Sequence, residues 1–345
     1  MGGNALSVES VRLNAANYKK LSNYCVTQLA LNFPLGRFHA IESYGSKADH
    51  GDLDLLVYAP RYDPFLCASS LGATEVVRNG PVTSIGISSL QEFGLEEGDV
   101  FQVDLISIDA DSFEYAANYF SFNDLGNLIG RTAHAMGVAH RHDGLYYYMR
   151  DGDYKFREIL LTKNYDQALI FLGYDHERFS QGFETLNEIF MYVSGSDFFN
   201  TGIFLLENRN AKSRIRDRKR KTYMEFLDFC EKNSDLTGYE YPKEKSEWFS
   251  RIKEHFPHFD GEYKEAVAAL QRQRILKSKF NGEMVSKLTG LQGKELGVFM
   301  KEFKNSFGSN EELGAFVLHS TVEEIKSRVN SFVESLRGFQ KSDCG

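Results

Sequence analysis

The segment Ser43-Tyr44-Gly45-Ser46-Lys47-Ala48-Asp49-His50-Gly51-Asp52-Leu53-Asp54-Leu55-Leu56-Val57 holds the residues best suited to chemistry. Asp52 and Asp54 stand two apart in an apolar run, and side chains two apart on a strand share a face. Neighbouring carboxylates repel each other, and apolar flanks such as Leu53, Leu55, Leu56 and Val57 make their charges costlier. A divalent cation relieves that conflict, and Mg²⁺ favours carboxylate oxygens combined with substrate phosphates. Gly45-Ser46 supplies the complementary half. A glycine lets backbone amides approach a phosphate, the serine hydroxyl adds a donor, and Lys47 adds positive charge.

A third acid, Asp104, sits in Phe101-Gln102-Val103-Asp104-Leu105-Ile106, a second alternating apolar strand. Gly-Ser, a short gap, Asp-hydrophobic-Asp-hydrophobic and then a later strand carboxylate form an ordered set. That set resembles the DNA polymerase β-like nucleotidyltransferases, a superfamily of tRNA CCA-adding enzymes, poly(A) polymerases, oligoadenylate-type synthases and small-molecule adenylyltransferases. The resemblance spans residues 38 to 108. It implies that Asp52 and Asp54 hold two Mg²⁺ ions, with Mn²⁺ as a substitute. It also implies that Asp104 joins one of them to activate an attacking hydroxyl. The interval from Ser46 to Asp52 is shorter than in many members, so the loop must be tight, and Gly51 helps the chain turn.

In that family the helix after the core strands often sends a side chain to the triphosphate. Asn127 and Arg131, four apart on one helical face, are the candidates here, against a plain helix surface. His134, His140 and His142 cluster near Arg141 and Asp143 without a Cys or Glu partner, and read as a polar loop. Residues 209 to 223 carry Arg209, Lys212, Arg214, Arg216, Arg218, Lys219, Arg220 and Lys221 against Asp217 alone. Such a cluster suits a nucleic-acid backbone, with Tyr223 and Phe226 placed to stack on bases; the rival is a solvated helix face. Residues 280 to 297 resemble the helix, glycine turn and helix in the tail of bacterial-type CCA-adding enzymes. Lys294 at a helix start is the RNA-binding candidate there, against a structural hairpin.

The surrounding pattern must position these groups. A helix is expected over 10–33, strands over 38–44, 53–58, 74–78, 82–90 and 100–108, and a helix over 64–71. A helical stretch follows over 113–136 with a break near Gly126. Asn79-Gly80 and Asp151-Gly152 are hairpin dipeptides, the latter joining strands 144–149 and 154–162. From Asp166 onward the pattern is helical. The expected architecture is α+β: a mixed-sheet nucleotidyltransferase domain over 1–165, a helical middle domain over 166–235 and a helical C-terminal domain over 236–345.

Charged residues at 26 % and aromatics at 14 % describe a folded chain rather than a disordered one. The net charge of −8 means that any polyanion contact depends on a local basic surface. Cys25, Cys67, Cys230 and Cys344 form no CxxC pair and read as reduced thiols. No apolar run is long enough for a membrane span and no basic-then-apolar leader is evident, so a cytoplasmic protein is expected.

The leading expectation is template-independent transfer of a nucleoside monophosphate from ATP or CTP to an RNA 3′ hydroxyl, such as that of tRNA. Two alternatives stay open. The acceptor is a small molecule, a protein or a second nucleotide, or the fold is a catalytically silent RNA-binding scaffold. Residue types leave the oligomeric state open.

Overall fold

The computed structural model describes residues 4–342 apart from Tyr62, Ser89, Ser234, Asp235 and Thr237. The architecture is α+β, with a mixed sheet and many helices. The N-terminal stretch gives β1 (Leu13–Asn14) and then α1 (Ala15–Asn32). The helix starts five residues later than its periodicity predicts. Val11 donates its amide to the Val100 carbonyl, Leu13 and Asn14 pair as a strand, and the Asn14 side chain caps Asn17.

Next come β2 (Arg37–Ala40), β3 (Asp49–His50), β4 (Asp52–Tyr58), α2 (Pro64–Ser70), β5 (Glu75–Asn79), β6 (Val82–Ser88) and β7 (Val100–Ser107). Five of these strands form a sheet in the order β2-β4-β7-β6-β5, antiparallel except for the central parallel pair β4–β7. Period-2 alternation divides its faces. Leu53, Leu55 and Val57 of β4, Phe101, Val103 and Leu105 of β7, and Ile85 of β6 are fully buried against Leu21, Cys25 and Leu29 of α1. The intervening residues Asp52, Asp54, Ser84, Gln102 and Asp104 therefore fall on the opposite face. That face is covered at one end by Phe113 and Ala116, which pack on Leu56.

Those two residues belong to α3 (Phe113–Phe120), which is followed by α4 (Leu125–Ala135). The break between them falls at 121–124, where Phe122 and Asn123 adopt left-handed backbone angles of +60° and +63°. Gly126, expected to mark the break, lies inside α4. A Cβ there would come within 2.2 Å of the Tyr119 carbonyl oxygen, so the glycine admits a close approach of the α3 terminus.

A three-stranded antiparallel sheet follows, from β8 (Val138–Arg141), β9 (Gly144–Asp151) and β10 (Tyr154–Thr162). The segment read as a polar histidine loop is thus partly strand β8. Within it His140 is buried among Tyr115, Tyr119 and Tyr165. Helices α5 (Tyr165–Phe171), α6 (His176–Ser180), α7 (Leu186–Ser194), α8 (Ala211–Arg218), α9 (Lys221–Lys232) and α10 (Phe249–His255) complete this part.

The chain divides into compact units over Met1–Phe259 and Asp260–Gly345. Aromatic packing ties the helices to one another and to the sheets: Phe190 meets Phe226, and Tyr147 of β9 meets Phe249 and Phe259. The second unit contains most of α11 (Phe259–Lys279), then α12 (Gly282–Thr289), α13 (Gly293–Asn305), α14 (Asn310–His319) and α15 (Val322–Ser342). Its own core is built on Val285, Phe299, Phe303, Val317, Ile325 and Val329. Among the described residues no helix is long and apolar enough to cross a membrane.

Candidate active site

Strand register brings the three acids together. Asp54 lies directly opposite Asp104 across the parallel β4–β7 pair, and Asp52 lies opposite Gln102. Residues in register on neighbouring strands share a face, so the three carboxylates crowd one patch of sheet. Burial first, and then the charges of Asp52 and Asp104, push the Asp54 carboxyl up to about 7, while Lys47 acts the other way. Asp104 is also raised, mainly by burial.

Asp104 is held from two sides. Gln102 Nε2 donates to its Oδ1 and Oδ2 at 2.9 and 3.1 Å, and Ser84, its register partner on β6, bonds to it as well. Gln102 is itself fixed, since its Oε1 accepts from the Ala5 amide at 2.9 Å. Ser84 and Gln102 were not recognisable as site residues beforehand. Only the cross-strand register puts them beside the acid.

Asp52 and Asp54 line a cleft of about 390 Å³ with Lys47, Tyr18, Asn123 and Asp124. Residues from the basic segment, Lys219, Arg220 and Lys221, line the same cleft. Arg220 is anchored by an ion pair with Asp124. Tyr18, on α1, stacks on His50 with ring centroids 3.7 Å apart. Burial and the nearby Asp54 and Asp52 charges hold its hydroxyl well above its ordinary pKa, so it stays protonated. Burial lowers the Lys47 pKa while the same two carboxylates support its charge.

No family model matches the chain, and no curated protein matches it.

The other candidates are dispersed. The Gly45 amide donates to the Phe183 carbonyl at 2.9 Å, and the Ser46 amide and hydroxyl donate to the Glu184 carbonyl at 2.8 and 2.7 Å. These phosphate-cradle donors are engaged by the 183–184 backbone. A Cβ on Gly45 would fall 2.1 Å from a Glu184 carboxylate oxygen. Asn127 and Arg131 do not share the carboxylate cleft. They line a second cavity together with Arg216 and Arg209.

The basic segment divides in the same way. Arg209 is buried against Asp217, Arg214 bonds to the Arg209 carbonyl, Arg216 pairs with Asp217, Arg218 is exposed, and 219–221 line the carboxylate cleft. Tyr223 and Phe226 are fully buried, which removes them as base-stacking platforms; Tyr223 donates to the Phe204 carbonyl at 2.6 Å. Lys294 is exposed in the first turn of α13 in the second unit, after a turn in which Gly290 and Gly293 take left-handed angles.

Among the described residues no group of three or more His, Cys, Asp and Glu side chains forms a ready-made metal cage. Mg²⁺ does not require one. It commonly takes one or two carboxylates and completes its shell with waters and substrate phosphates. Asp52 and Asp54, mutually repelling and hard-oxygen donors, fit that pattern.

Burial of Asp54, together with the same repulsion, has a stability consequence in metal-free protein. Asp54 titrates near 3.8 unfolded and about 7 folded, so folding carries no penalty below pH 4. The cost grows as pH rises from about 4 to about 7 and is constant above that. Asp54→Asn is therefore expected to stabilise the protein in chelator at pH 8, on the order of 4 kcal/mol, and to leave it nearly unchanged at pH 4. Thermal unfolding of both proteins at the two pH values checks this; equal midpoints at pH 8 would contradict it.

Proposed function

We propose that the protein is a nucleotidyltransferase of the polymerase β type, moving a nucleoside monophosphate from an NTP to a hydroxyl acceptor. The observation that carries this reading is the register of Asp54 opposite Asp104, with Asp52 and Asp54 lining a cleft that Lys219, Arg220 and Lys221 also line. Anionic floor and cationic wall match a triphosphate held through a divalent ion.

In this reading Asp52 and Asp54 hold Mg²⁺, which supplies charge neutralisation for the triphosphate and acidifies the attacking hydroxyl when bound. Asp104, oriented by Gln102 and Ser84, takes the proton of the acceptor hydroxyl. The hydroxyl oxygen attacks the α-phosphorus, the bond from that phosphorus to the bridging oxygen breaks, and pyrophosphate leaves. Lys47, Lys219 and Lys221 meet the charge of the phosphates, and Arg220 braces that wall through Asp124.

The exposed lysines around Arg220 favour a polyanionic acceptor such as an RNA 3′ end, whose contacts are salt-dependent. The double variant Lys219→Gln/Lys221→Gln is expected to raise KM by about tenfold with kcat little changed, and to flatten the dependence of KM on salt. Unchanged KM values at low and high salt would remove the basic wall from the account.

One observation favours a silent scaffold as the second reading: the Gly45 and Ser46 amides are already engaged by 183–184. A catalytic protein must release or bypass those bonds, whereas a scaffold need not. Consumption of labelled NTP in Mg²⁺ separates the two. Product in RNA supports the first reading, and product in small molecules or protein moves the acceptor. RNA binding with no NTP consumption leaves the scaffold.

A further inference from the structure

The cavity that takes Asn127 and Arg131 away from the carboxylates has a chemistry of its own. Its volume is about 610 Å³, within the range of small-molecule sites, and none of its lining residues lines the carboxylate cleft. Five cations line it: Arg131 on α4, Arg150 on β9, Arg209, Arg216 on α8 and Lys245. No aspartate or glutamate does.

Arg209 and Arg216 share the buried Asp217. Arg150 and Lys245 bond to backbone carbonyls, and Arg131 bonds to a backbone carbonyl and to the Tyr223 side chain. Arg131 Nε and Nη2 bond to the Ile203 carbonyl at 3.2 and 3.0 Å, Arg150 Nη1 to that of Asp153 at 3.1 Å, and Lys245 Nζ to that of His134 at 2.8 Å. Five cations gathered around one carboxylate leave a strong positive field.

The field is felt by its own members. Burial and then the Arg209 charge pull Arg131 down to about 10, and burial followed by Lys245, Arg131 and Arg209 pulls His134 down to about 4. Two further lining residues, Asn127 and His140, each bury a polar atom, Nδ2 and Nε2, that has no hydrogen-bond partner. Buried unpartnered polar groups are costly unless something outside the chain completes them. Tyr147 and Tyr148 add aromatic surface to the lining.

We propose that this cavity is a second anion site, binding a nucleotide-sized ligand through its 5′-polyphosphate. Unlike the carboxylate cleft it supplies its own positive charge, so it holds the phosphates without a divalent ion. It stands whether or not the carboxylates perform transfer. Two sources carry this chemistry, a free nucleoside di- or triphosphate and the 5′-triphosphate end of an RNA.

The test is calorimetric titration of the full-length protein with tripolyphosphate and with ATP, in chelator so that metal-dependent binding at the carboxylates is silent. The expected result is saturable binding of one ligand per chain. Affinity should be weakened at least about tenfold in Arg150→Gln/Lys245→Gln and unchanged in Asp54→Asn. Arg150 and Lys245 are exposed, and matching thermal unfolding shows that the variant is folded. Displacement of ATP by 5′-triphosphorylated RNA but not by 5′-hydroxyl RNA assigns an RNA end, and displacement by free nucleotides alone assigns a small ligand. Absence of saturable binding, indifference to the double variant, or equal displacement by 5′-hydroxyl RNA overturns the proposal.

Discussion

Asp54→Asn is expected to lower NTP turnover by at least about a thousand-fold while the fold persists, and Asp104→Asn to lower it comparably by a different route. Asp54 is crowded by Asp52 and Asp104, so its charge is useful only when a cation offsets it. The amide variant removes that charge without changing the side chain's shape, and metal–nucleotide binding should fall together with turnover. Asp104 is absent from the residues lining the cleft with Asp52 and Asp54, and is tied to Gln102 and Ser84. Its loss should leave metal–nucleotide binding within a few-fold and act mainly on kcat. Single-turnover kinetics with a separate binding titration distinguish the two routes. Equal loss of binding in both variants would place Asp104 with the metal ligands instead.

The second large effect concerns stability. Asp217 is fully buried, with Oδ1 2.9 Å from Arg216 Nε and Oδ2 2.8 Å from Arg209 Nη2. The Arg209 contact is a close charge pair without the angle of a hydrogen bond. Arg209 is also buried and bonds to the Tyr223 hydroxyl at 2.9 Å. Removing the acid strands a buried guanidinium, which costs about 3–5 kcal/mol. Asp217→Ala should therefore lower the unfolding midpoint by roughly 10 °C. Asp217→Ala combined with Arg209→Met should recover much of that loss, because neither charge then remains unpaired. An Asp217→Ala midpoint equal to that of the parent would show that Arg209 finds another partner.

The carboxylates were legible because strand alternation is local. Asp52, Asp54 and Asp104 each interrupt an apolar run, and the sheet places all three as that pattern requires. Their supports were not legible. Ser84 and Gln102 are ordinary strand residues until the register sets them beside Asp104, and register is a long-range property. For the same reason nothing in Phe183-Glu184 announces that its carbonyls accept the Gly45 and Ser46 amides across more than a hundred residues of chain.

Composition also misdirected. The basic run from Arg209 to Lys221 reads as one surface, yet Asp217 draws Arg209 inward and only the last three residues reach the cleft. Tyr223 and Phe226, three apart on α9, turn into the core. The polar letters around His140 concealed β8, whose outward residues alternate with the buried Val138 and His140.

The central claim is tested most directly by incubating purified protein with Mg²⁺, each labelled nucleoside triphosphate in turn and total tRNA, then resolving the products on a denaturing gel. The account predicts label entering RNA from at least one nucleotide with the parent protein and none with Asp54→Asn. Label entering RNA equally with Asp54→Asn, or no triphosphate consumed by the parent protein, would contradict it.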